Sequence, residues 1–246
     1  MKKIFWSVVI ILLVLVIAVA IVAGFFLNPI VKRGVETIGP KITKTSVTLD
    51  AVDLSLLTGS AKVKGLVVGN PEGYKTTNSI SVGTIAVGVD PFSVLSDKIV
   101  VRSLHVETPE ITFEGGLGGN NLSKLLDNVN GTAKNGGPVS TNAVGQPKPS
   151  KKIEVDDLLI SGAKVHVLLT ELGGRQMSLT LPDIHLTDLG KGGDGLTATD
   201  LTRRVLQEIV TATVKAVASD STNLGKGAEK LIQGNGLNKI ENLFKH

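Results

Sequence analysis

The chain has 246 residues, of which 42% are hydrophobic, enough for one sizeable core or two small ones. A net charge of +4 invites a nucleic-acid reading, yet outside the N-terminal segment the only aromatics are Tyr74, Phe92, Phe113 and Phe244. That is too few for base-stacking platforms, so no nucleic-acid partner is expected, and the basicity reads as attraction to anionic lipid headgroups or as a solubilising surface. The absence of cysteine excludes disulfides and thiolate chemistry.

Residues 1–3 form a short basic N-terminus, and residues 4–27, IFWSVVIILLVLVIAVAIVAGFFL, carry no charge. As a helix this stretch is roughly 36 Å long, enough to cross a ~30 Å hydrocarbon layer. A cleavable signal peptide is the rival reading, since Ala18-Val19-Ala20 fits a small-x-small site. The apolar run continues past it through Phe26, which favours an uncleaved single-pass anchor. Lys2 and Lys3 precede the span and Lys32, Arg33, Lys41 and Lys44 follow it, so the positive-inside count alone points the C-terminal side inward; long domains translocate largely regardless of it.

After a connecting segment, residues 28–45, the periodicity turns to alternation. Three stretches share the pattern apolar-x-apolar-x-x-apolar-x-apolar: Val47, Leu49, Val52, Leu54; Ile99, Val101, Leu104, Val106; and Ile153, Val155, Leu158, Ile160. The extra central residue would turn the second pair to the other face of an unbroken strand, so a β-bulge is expected there, with all four apolar side chains on one face. The spacing of the copies suggests a weak internal repeat. Further strands are expected over 61–68, 80–89, 111–113, 163–169 and 177–186, with a hairpin loop at Glu171–Gly174. Asn70-Pro71-Glu72-Gly73 reads as a turn.

Asp90-Pro91 opens a short helical turn through Phe92 and Leu95. Residues 121–129 place Leu122, Leu125, Leu126 and Val129 at helical spacing, behind an Asn120 or Asn121 cap. Residues 131–150 are too polar and too rich in Gly, Pro and Ser to fold, and read as a disordered loop. A long helix over about 199–218 has the stripe Leu201, Val205, Ile209, Ala212, Thr213, Ala216, suited to cover part of a sheet. Residues 220–246 form a basic amphipathic tail.

Chemistry-bearing constellations are sparse. His105 and His166 fall on polar strand faces, and His185 with Asp183 and Asp188 matches no standard metal-ligand spacing. The glycine clusters at 115–119 and 190–195 lack the phosphate-loop form, and no GxSxG elbow occurs. Asp156 and Asp157 point to opposite strand faces. Asn121-Leu-Ser123 and Asn130-Gly-Thr132 are glycosylation sequons, relevant only in a eukaryotic secretory setting. No enzyme activity, cofactor or metal is expected.

The membrane span followed by VTLDAVDLSLLTGSAKVKGLVVGNPEGY, KIVVRSLHVETPEITFE and NNLSKLLDNV resembles the N-terminal region of bacterial AsmA-like proteins, distant relatives of chorein-type, bridge-like lipid-transfer proteins. The likeness extends over roughly residues 1–129, and KKIEVDDLLISGAKVHV repeats the strand pattern further on. A plant-type LEA-2-like domain is the nearest structural rival. The resemblance implies a membrane-anchored α+β, mainly β protein: a transmembrane helix, then an AsmA-like domain over residues 46–219. That domain would be a curved, mostly antiparallel, groove-like sheet partly covered by a C-terminal amphipathic helix. It further implies the bacterial inner membrane, with the β domain in the periplasm binding or moving lipid. The twelve apolar residues of the three copies are the groove candidates, with lipid acyl chains, self-assembly or an envelope protein as partners. Long members repeat the groove many times, so a chain of this length suits a shuttle, a tether or one subunit of an assembly. The alternative is a structural or interaction protein whose covered sheet docks a partner.

Overall fold

The computed structural model describes residues 27–55, 57–116, 119–137, 140–141, 147–148, 151–169 and 175–219. The expected span over 4–27 lies outside them apart from Leu27, as does the tail over 220–246. Among the described residues no helix is long and apolar enough to cross a membrane.

Residues 27–43 are helical (α1) and lead, among the described residues, into thirteen strands, two more α-helices and a short 3-10 turn over Ser93–Leu95. The strands are β1 (Val47–Thr48), β2 (Ala51–Ser55), β3 (Ser60–Gly69), β4 (Asn78–Val89), β5 (Lys98–Glu107), β6 (Glu110–Gly116) and β7 (Gly119–Asn120). After α2 (Asn121–Lys134) come β8 (Ser140–Thr141), β9 (Pro147–Lys148), β10 (Lys152–Ser161), β11 (Lys164–Leu169), β12 (Arg175–Thr180) and β13 (Ile184–Leu189), then α3 (Ala198–Ser219). β8 and β9 make a small separate hairpin; the other eleven strands form one sheet.

This sheet is creased. β4 pairs with β6 through Ile80 and Ser81, but with β5 from Ile85 onward. The crease follows corners in successive passes of the chain: Gly65 in β3 (φ +61), Thr108-Pro109 between β5 and β6, Gly162-Ala163 between β10 and β11, and Leu181 to Asp183 between β12 and β13. The last three corners are stitched together. Thr108 N donates to Ser161 O (2.8 Å), Lys164 N to Pro109 O (2.9 Å), Leu181 N to Ala163 O (2.9 Å), and Gly162 N to Asp183 Oδ1 (3.2 Å). One wing holds β1, the end of β3, the start of β4, β6, β11 and β12; the other holds β2, the start of β3, the end of β4, β5, β10 and β13. The result is a mostly β, curled half-barrel with helices on its concave side.

The repeat takes a definite form. β10 lies parallel beside β5 and β11 parallel beside β6, each residue pairing with the one 54 positions earlier, from Lys98↔Lys152 through Glu110↔Lys164 to Gly115↔Leu169. The second and third copies therefore lie side by side, Ile99 to Ile153, Val101 to Val155, Leu104 to Leu158 and Val106 to Ile160. The bulge is present in β5, whose register against β4 shifts between Gly88 and Val89. In β10 the register to β13 is kept, and the irregularity falls on Asp188 opposite, with φ +55. The first copy pairs with β3, away from the other two.

Helix α2, capped by Asn120 Oδ1 accepting from Ser123 N at 2.8 Å, packs on β6 and β7; α3 packs on β10 and β13 and against α2. Three expectations shift. The 177–186 stretch is two strands, because Pro182 has no N–H for the ladder and the chain turns the crease there. α2 runs to Lys134, into the stretch expected to be disordered, because Thr132 Oγ1 is buried against α1, donating to Ile42 O at 3.1 Å. The buried ridge of α3 is Leu206, Ile209, Val210, Thr213, Val214 and Val217, with Leu201, Val205, Ala212 and Ala216 on its half-buried flank, because α3 packs on α2 as well as the sheet.

α1 runs along the outer edge of β2 and β1 and meets its backbone groups. Leu54 N donates to Asn28 Oδ1 (3.0 Å), Leu49 N to Glu36 Oε1 (3.2 Å), and Lys32 Nζ donates to the carbonyls of Leu49 (2.6 Å) and Asp50 (2.9 Å). An exposed strand edge is a template for aggregation, and here polar side chains of a helix occupy it.

Candidate functional site

Residues directly opposite across a ladder share a face of the sheet. Following the pairs across each wing gives three rows, every member apolar. One is Val52, Val63, Ile85, Val106, Ile160, Ile184; the next is Leu54, Ala61, Val87, Leu104, Leu158, Leu186. The third, on the other wing, is Val47, Val68, Ile80, Ile111, Val165, Leu179. The concave face is thus lined without a polar interruption along these rows.

Coverage is uneven. Under α2 and α3 the lining is closed: Ile111, Val155, Leu158, Ile160 and Val165 are buried. Toward β3, β4 and β5 it is half-buried at Leu54, Val63, Ile85, Val87, Val89, Ile99 and Leu104. Of the twelve expected groove residues, Val47, Leu49, Val52, Val101, Val106, Val155, Leu158 and Ile160 are buried, whereas Leu54, Ile99, Leu104 and Ile153 retain exposure. The eight residues of the second and third copies belong to or pack against one core, whereas Val47, Leu49, Val52 and Leu54 of the first copy lie outside it, and Leu49 lies between strands. Ile85, Val87 and Val89, on the more open flank, were read only as an ordinary strand, since the pairing that sets them opposite Val106, Leu104 and Val101 is not local.

A buried polar cluster closes one end of this lining. Glu114 of β6 accepts from Lys75 N (2.8 Å), Thr76 N (2.8 Å) and Thr76 Oγ1 (2.7 Å). Asn121 Nδ2 donates to Asn70 Oδ1 and Thr112 O, both at 2.7 Å, and its Oδ1 accepts from Glu114 N at 2.9 Å. Asn70 Nδ2 returns to Thr76 O at 2.8 Å. The turn at Asn70 to Gly73, with Gly73 at φ +97, is therefore pinned from beneath, and buried Asn121 is a structural strut rather than a glycan acceptor. Burial works to raise the Glu114 pKa, but the hydrogen bonds from Lys75 and Thr76 and the Lys75 charge outweigh it and hold the carboxyl below its ordinary range. Tyr74, half-buried above it, is pushed up by burial and by the Glu114 and Asp127 charges. The NPEG turn was visible in sequence; its partners were not, because Asn121 reads equally well as a helix cap.

On the convex face Asp157 bridges His185 (2.6 Å) and His105 (3.1 Å) across three strands, and these hydrogen bonds lower its pKa. His166 meets Ser178 Oγ at 3.2 Å. Asp188 pairs with Lys191, and among the described residues no group of His, Cys, Asp and Glu is arranged to hold a metal ion.

A creased, mostly antiparallel sheet with apolar rows along its concave face, helices over part of it and a repeated strand-corner-strand unit defines a β-groove domain. The AsmA family profile matches residues 1–177, and the chain belongs to the AsmA family. No curated protein and no solved structure matches it.

Proposed function

We propose that this is a non-enzymatic, membrane-anchored protein of the bacterial cell envelope, its β domain in the periplasm, that binds lipid and helps move it along the apolar lining. The observation that carries this reading is the half-buried flank formed by Ile85, Val87, Val89, Ile99 and Leu104, continuous with a fully apolar concave face. A lipid needs such a surface: at about 0.8 kcal/mol per buried CH₂, exposing a sixteen-carbon chain to water costs on the order of 12 kcal/mol. Family membership and the curvature of the sheet support it.

The test is photo-crosslinking of the full-length protein in membranes with a phospholipid carrying a diazirine on its acyl chain. Adducts are expected on β4 and β5, and Val87→Asp or Leu104→Asp should abolish them without unfolding the chain. Equal labelling of the variants, or labelling confined to residues 1–27, overturns the reading. The second reading, an interaction protein with a covered sheet, has its support in the burial of eight of the twelve lining candidates; it expects no lipid adduct on the β domain.

A further inference from the structure

Among the described residues, the large hydrophobics that stand exposed are Ile30, Val31, Leu57, Phe92, Val94 and Leu95. They come from three separate parts of the chain, yet all lie at one end of the molecule. Ile30 and Val31 belong to the start of α1, held beside the end of β2 by the bond from Leu54 N to Asn28 Oδ1. Leu57 lies in the turn that follows β2. That turn abuts the β4–β5 connection: Val89 N donates to Gly59 O at 2.6 Å, and a methyl group on Gly59 would stand 2.2 Å from Val89 O and 2.9 Å from Pro91. Phe92, 87% exposed, and Leu95, 90% exposed, sit on that connection, where Asp90 Oδ1 accepts from Phe92 N at 2.9 Å and fixes the loop.

Six exposed apolar side chains on one rim are an interaction surface rather than the scattered residues of an ordinary exterior. Their position identifies the occupant. α1 runs from Asn28 beside Leu54 to Gly39 against Val47, so Leu27, the residue at which the uncharged stretch 4–27 ends in sequence, lies at this rim. Basic residues lie behind the tips: Lys151 Nζ donates to Val94 O, and Lys152 N donates to Asp97 O at 2.9 Å. Apolar tips backed by lysines match an interface in which hydrocarbon lies beyond anionic headgroups.

We infer that the rim formed by the 57–59 turn and the 90–97 loop inserts Leu57, Phe92 and Leu95 into the headgroup–acyl boundary of the membrane that the N-terminal segment enters. The half-buried lining at Val89 and Ile99 begins directly behind this rim. The inference rests on the anchor reading, but not on lipid being carried.

Full-length protein with Trp6→Phe, which removes its single tryptophan, and Phe92→Trp is reconstituted into phosphatidylethanolamine/phosphatidylglycerol vesicles and compared with a Trp6→Phe, Tyr74→Trp control at the opposite end. Trp at 92 should emit to the blue of the control, and lipids brominated on their acyl chains should quench it about twofold or more, as for a side chain seated 5–10 Å deep. The control should be unquenched. Flotation with the vesicles but no quenching at 92 overturns the rim insertion and leaves the anchor standing; no flotation overturns both. A blue shift without lipid quenching shows a protein surface, a second copy included, covering the rim, and also overturns it. Loss of acyl-chain crosslinking on β4 and β5 with quenching intact would remove the lipid-carrying reading alone.

Discussion

Replacing Glu114 by glutamine removes one negative charge from a site only 3% exposed and leaves its three donors, Lys75 N, Thr76 N and Thr76 Oγ1, facing an amide. A hydrogen bond to a charged partner contributes about 1.5–3 kcal/mol net, and a buried donor left unmatched adds to the loss. One such bond weakened and one donor stranded give a destabilisation of about 3 kcal/mol. For a domain of this size that lowers Tm by about 6–12 °C at neutral pH. The pH dependence follows from the depressed pKa of Glu114 in the folded protein. The stabilisation is present in full above the unfolded value of about 4.3 and disappears as pH falls through the folded one. Wild type and Glu114→Gln should therefore differ most near neutrality and converge below about pH 4. Circular dichroism melts of the full-length protein in detergent across this range make the comparison. A Tm difference under about 2 °C at neutral pH, or one undiminished in acid, would refute the assignment of the clamp to a charged Glu114.

Leu158→Ala, beneath α3, should cost about 2–5 kcal/mol, whereas Leu104→Ala, its half-buried neighbour in the same row, should cost markedly less; urea unfolding measures both. At the crease, Gly162 has φ +61 with Thr108 Cγ2 standing 3.1 Å from where a methyl group would sit, so Gly162→Ala should destabilise by about 1–2 kcal/mol. Thr108 is itself a β-branched residue at φ +47, and Thr108→Gly should leave Tm unchanged or raise it. Ultraviolet titration of Tyr74, the single tyrosine, should give a midpoint above the ordinary phenol value, lowered in part by Glu114→Gln because one of its charges is then gone.

The pattern of apolar pairs with one extra residue between them foretold the central strands, their common face and the bulge in β5, because alternation and its interruption are local facts. The NPEG turn, the Asp90 turn and the start of α2 were equally legible, each resting on a proline, glycine or capping side chain. What escaped was set at a distance. The crease depends on hydrogen bonds between corners far apart in sequence, and the ridge of α3 is defined by two neighbours instead of one. The extension of α2 past Gly131 is decided by Thr132 meeting the end of α1, against the local preference of a Gly- and Asn-rich stretch. The exposed rim could not be foreseen either, since Leu57 and Phe92 look like ordinary turn residues until Gly59 brings the two loops together.

The parallel laying-down of β10 and β11 beside β5 and β6 has a consequence for how such a domain can grow. A corner that accepts a similar corner at its side can be repeated, so inserting a further 54-residue stride between β10–β11 and the closing strands β12 and β13 would lengthen each apolar row by one strand. Each new copy needs only to reproduce the spacing of its apolar pairs and a residue able to turn the crease.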